Sequence, residues 1–85
     1  MWTYPLDVVF YGENMGKYLY NNLKAEMSRT KITQDDIAGI LHITRYTFSK
    51  KMTGKNEFNL KEILEIRNTF FPELSLEYLF QKFEN

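Results

Sequence analysis

The chain contains no cysteine, so neither a disulfide nor a thiolate metal site can hold it together. Its one histidine is His42. A lone imidazole gives a metal centre too few ligands, this one sits in a turn, and there is no cysteine to act as nucleophile. Glycine is scarce and forms no phosphate-cradling loop. The only adjacent carboxylates, Asp35 and Asp36, suit the positive start of a helix better than acid–base work. These absences argue against an enzyme, a cofactor or a metal. No apolar run approaches the roughly 20 residues of a membrane span. No basic segment precedes an apolar stretch at the N-terminus, so no signal peptide is expected. A cytoplasmic protein without membrane contact is the expectation.

What the chain does have is apolar side chains in helical register. Hydrophobic residues make up 44% of its 85 positions, including seven Phe and six Tyr. That suffices for one small domain of modest stability. Helical periodicity and cap residues predict five short helices with no internal repeat. The first should start near Asn14 to Lys17 and run to about Ser28, burying Tyr18 or Leu19, Leu23 and Met27. The second should span about Gln34–Leu41 and the third about Arg45–Met52, followed by a polar break with Gly54 as terminator. Asn59 and Glu62 form a capping box for a fourth helix over about Leu60–Phe70, with Leu60, Ile63, Leu64 and Phe71 inward. Pro72 stops it, and Ser75 caps a last short helix carrying Leu76, Leu79, Phe80 and Phe83.

The segment from Thr33 to Gly54, TQDDIAGILHITRYTFSKKMTG, holds the two central helices and a connection too short for anything but a corner. Thr33 caps the first of them, with Asp36 three residues on. Ile37, Ala38 and Leu41 share its inward face. His42 and Ile43 make the corner, and Thr44 caps the next helix. There Ile43, Phe48 and Met52 point inward, leaving Arg45, Tyr46, Ser49 and Lys50 outward. A short, angled helix with a polar and basic outer face is what a duplex major groove admits.

This segment resembles the helix-turn-helix of the lambda-repressor/Cro-like, or XRE, family. The resemblance rests on Thr33-Gln34, Ile37-Ala38, Ile43-Thr44, Thr47-Phe48-Ser49 and Gly54-Lys55, and it extends from about Lys17 to Phe80. The downstream FFPELSLEYLF is similar to the tail of small regulators from phages and prophages of Gram-positive bacteria. His42 departs from the pattern, since the family usually has Gly at that turn. The implied fold is an all-α, compact five-helix DNA-binding domain over residues 15–85, behind an extended N-terminal arm of residues 1–14. The implied function is that of a small transcriptional regulator, repressor or Cro-like.

Formal net charge is zero, which looks wrong for a DNA binder until it is divided along the chain. Residues 15–55 hold eight Lys/Arg against three Asp/Glu, a net of +5, while residues 56–85 sum to −3 and residues 1–14 to −2. Local field, not total charge, governs attraction to phosphates. Arg45 is the leading base reader, because its fork can engage guanine O6 and N7 together. Tyr46 can pack on a thymine methyl or bond a phosphate, and Lys50 can reach a base or the backbone. Thr44 offers a hydroxyl. Gln34 matches the family position that bonds a backbone phosphate, and Ser49, Lys51 and Lys55 would add phosphate contacts.

One such domain covers half a site, so a homodimer on a two-fold operator is expected, with Leu76, Leu79, Phe80 and Phe83 as the candidate dimer surface. The alternative for that surface is closure of the core over the first and fourth helices, and a mixture is expected, with part of the face buried internally and part shared. Residues 1–14 read as an extended arm, with Val8, Val9, Phe10 and Tyr11 strand-prone and Pro5 barring a helix. The arm could pair with a partner, pack over the last helix or stay loose. Alternatively Met15 is the native start. The rival function is a protein-interaction module, such as an antirepressor, antitoxin or adaptor, that reuses the scaffold. Trp2, Tyr4, Phe10 and Tyr11 favour it as aromatic anchors for a protein partner.

Overall fold

Each of five helices sends one side chain to complete burial: Leu23, Ile37, Phe48, Ile66 and Leu79 are all at 0% exposure. These helices were located in a computed structural model, which describes residues 18–83. They are α1 (Asn21–Thr30), α2 (Gln34–Leu41), α3 (Arg45–Met52), α4 (Leu60–Phe70) and α5 (Leu76–Leu79). The described residues contain no strand. The strand-prone positions 8–11, the aromatic arm and the alternative start at Met15 lie outside them. Among the described residues no helix is long and apolar enough to cross a membrane.

Four helices start where a short polar side chain can take up an orphan backbone N–H. Thr33 accepts from Asp36 and Asn59 from Glu62, and in both cases the acidic side chain answers with a bond to the cap residue's own N–H. Thr44 and Ser75 accept from the N–H groups of Thr47 and Tyr78. Each such cap is worth about 1 kcal/mol. Helix α1 differs. Its N-cap is Tyr20, which supplies no side-chain bond. The chain before it, Tyr18 to Tyr20, is not helical, so the predicted start near residues 14–17 is corrected to Asn21. Backbone pairing explains the change. Leu19 N–H donates to Met52 O at 2.8 Å and Leu19 O accepts from Phe83 N–H at 2.7 Å, so the segment serves as a strap between the end of α3 and the C-terminal tail.

Phe58 is the hub of the core. Its ring lies 5.3 Å from Tyr20, 5.5 Å from Phe80 and 5.9 Å from Phe48, at tilted or edge-on angles. It stands in the loop before α4, where no helical periodicity marks it. Leu60 was expected inward but is 67% exposed. As the first residue of α4 it sits a turn before the buried stripe begins. Leu79 is fully buried and Phe80 packs against Tyr20 at 5.7 Å. Leu76 and Phe83 are half-buried. Of the four residues of the candidate dimer surface, only Leu79 is fully enclosed by the monomer, Phe80 being half-buried as well.

Candidate nucleic-acid interface

The corner between α2 and α3 is built by His42 in a left-handed backbone conformation, φ 60° and ψ 40°. Its N–H and that of Ile43 return to Gly39 O and Ala38 O at 3.2 and 3.1 Å, closing the end of α2. A Cβ in this region costs energy that a glycine would avoid, and His bears it. Ala38 is buried on the α2 face and α3 packs against α2, consistent with a close crossing at a small residue.

Helix α3 is fixed at both ends. Thr44 accepts from Thr47 N–H and donates to Thr47 Oγ1, both at 3.0 Å, so its hydroxyl is committed to the cap. At the other end, Lys50 O receives Lys55 N–H at 2.9 Å, Asn56 N–H at 3.2 Å and the Thr53 hydroxyl at 3.1 Å. Phe48 and Met52 lock the inner face.

On the outer face Arg45 and Tyr46 are exposed, Tyr46 by 72%. Lys50 lies one turn after Tyr46 with its Nζ 5.2 Å from the ring centroid, a cation–π pairing of neighbours in one helical row. Arg45 leans toward the start of α2, where its Nη1 is 3.9 Å from Asp35 Oδ2, and both side chains stay about 70% exposed. An exposed pair at that distance restrains little. Arg45, Tyr46 and Ser49 line an open cleft of about 550 Å³ together with Gln34, Tyr18 and Thr53. The fold thus gathers Gln34, Arg45, Tyr46 and Ser49 around one depression and places Lys50 beside Tyr46. Lys55 is exposed in the turn after α3.

Lys51 does not join them. Its Nζ donates to Glu62 Oε1 at 3.1 Å and to Glu57 O at 3.0 Å, and its side chain is only 13% exposed. Three residues after Phe48, it sits on the flank of the buried stripe, roughly 60° around the helix. Its stem folds back over Phe58, with Nζ 5.9 Å from that ring. Lys51, expected to contact phosphate, is thus paired with Glu62 at the start of α4. Tyr18, by contrast, carries no sequence signal for the cleft, and the strap before α1 brings it there. Asp35 has no such signal as a neighbour of Arg45 either, a contact that the fold-back of α3 on α2 creates.

No family model, curated protein or solved structure matches this chain.

Proposed function

We propose that the chain binds double-stranded DNA sequence-specifically through α3, as a small transcriptional regulator of the lambda-repressor/Cro-like, XRE, type. The observation that carries this reading is the outer face of α3. Arg45, Tyr46 and Lys50 project from a helix immobilised at both ends, beside Gln34 at the start of α2. Arg45 would read a guanine edge and Tyr46 a neighbouring thymine methyl. Gln34, Ser49, Lys50 and Lys55 would contact phosphates, and the positive end of α2 would help hold one. Thr44 contributes by fixing the helix start. Such a protein would act in the cytoplasm, as a homodimer on a two-fold site. Its dimer contact would use a surface other than the buried Leu79.

A second reading, a protein-interaction module, draws on two features of the same face. Tyr46 is the most exposed large hydrophobic residue among those described, and Asp35 places a carboxylate beside Arg45. Titration with a random-sequence duplex at 50 and 200 mM salt separates the readings. Binding through several phosphates must weaken steeply as salt rises. Selection from a randomised duplex pool then reports the preferred half-site and its spacing. Binding that is absent at low salt, or indifferent to salt, would sink the DNA reading.

A further inference from the structure

We propose that Lys51 is a positioning residue of the reading helix: through Glu62 and the Glu57 carbonyl it sets the seat of α3 on α4, and so which bases Arg45 and Tyr46 reach. The proposal rests on α3 being the DNA-reading element.

The anchor on α4 is rigid. Glu62 Oε1, besides meeting Lys51, accepts Asn59 N–H at 3.0 Å, while Glu62 N–H donates to Asn59 Oδ1 at 2.8 Å. The capping box therefore fixes the carboxylate before Lys51 arrives. The two side chains are 13% and 15% exposed. Two of the three ammonium donors are committed, to Glu62 and to the Glu57 carbonyl, and the charge faces the Phe58 ring.

Leverage follows from where the clamp lies. Lys51 is in the last turn of α3 and Arg45 is its first residue. The eight residues of α3 span about 12 Å at 1.5 Å per residue. A tilt of roughly 5° about the clamped end moves Arg45 by about 1 Å, enough to misalign a two-pronged hydrogen bond to guanine. Meanwhile the Lys51 charge, half-buried and matched by Glu62, has little left to offer a phosphate.

These properties give a signature that neither a phosphate contact nor a simple loss of stability would produce. The test uses the full chain and measures fluorescence anisotropy with two labelled duplexes, one selected from the randomised pool and one scrambled, across 50–200 mM salt. Lys51→Met removes the charge but keeps an apolar stem, and Glu62→Gln removes the opposite charge, leaving the lysine in place but with only a weaker, neutral acceptor. Both variants should lower the ratio of selected to scrambled affinity by about tenfold. Lys51→Met should leave the slope of log affinity against log salt as in the wild type. A loss of folded protein would weaken both duplexes equally and leave their ratio alone. An unchanged ratio in both variants overturns the proposal. A slope flatter by about one in Lys51→Met, with the ratio kept, makes Lys51 a phosphate contact instead. If Lys51→Met does not fold, Glu62→Gln decides alone by the same ratio. Wild-type protein that binds neither duplex refutes the DNA reading first, and this inference with it.

Discussion

The phenol of Tyr78 donates a 2.7 Å hydrogen bond to Glu26 Oε2, joining α5 to α1 across 52 positions. Glu26 is the one buried charged residue among those described, and its other oxygen meets Arg29 Nε at 3.2 Å. On the same seam Asn22 Nδ2 donates to Tyr78 O at 2.9 Å.

Tyr78→Phe should therefore lower stability by about 1 kcal/mol, the ordinary net worth of one hydrogen bond, as measured by urea unfolding at pH 7. The bond to Glu26 and then burial lift the Tyr78 pKa above its ordinary 10.0, and burial lifts that of Tyr20. A phenol whose folded pKa is raised contributes stability that is complete below pH 10 and fades as pH climbs through the folded value. Wild type and Tyr78→Phe should accordingly converge in stability above pH 10. A gap that widens there would contradict the assignment.

Arg45→Ala should cost about 1–3 kcal/mol of affinity for the selected duplex and relax preference at a single base pair. Because the side chain is exposed and makes only a long contact with Asp35, the melting temperature should hardly move. Competition binding against duplexes varied one pair at a time checks both parts.

Asp35→Asn tests the neighbouring charge. It removes a carboxylate that attracts Arg45 and repels phosphate, so affinity for any duplex should rise, by up to about fivefold at low salt. The gain should shrink as salt screens the repulsion. A fall in affinity would mean that Asp35 orients Arg45 rather than competing for it.

Two backbone positions give opposite stability changes. His42→Gly removes a Cβ from a left-handed site and should stabilise by a few tenths to about 1 kcal/mol, since some of the relief goes to unfolded-state entropy. Gly54→Ala should destabilise by about 1–2 kcal/mol: its φ is +89°, and an added Cβ would lie 2.9 Å from Leu19 Cδ2. Thermal melting of the pair reads both signs.

Local signals explain what was legible in the sequence. The limits of α2, α3 and α4 follow from Thr33, Thr44 and Asn59, whose caps act within three residues, and Phe48 and Met52 follow from period alone. The corner at His42 and Ile43 was also readable, because the connection is too short for anything else. Long-range pairing hid the rest. Phe58 stands outside any helix, yet three aromatic rings converge on it. Lys51 looks like its neighbour Lys50 until Glu62 arrives from eleven residues away. Leu19 is strapped to Met52 and Phe83 by backbone groups, which carry no sequence mark at all.

That strap has a bearing on how the molecule comes into being. Helix α1 opens on Tyr20 without a side chain to start it, and the groups that steady it belong to Met52, Tyr78 and Phe83. Two of those supports, Tyr78 and Phe83, lie far along the chain from α1 and are made well after it. The nascent chain should order α2, α3 and α4 first, with α1 and the segment around Tyr78 and Phe83 settling together afterwards.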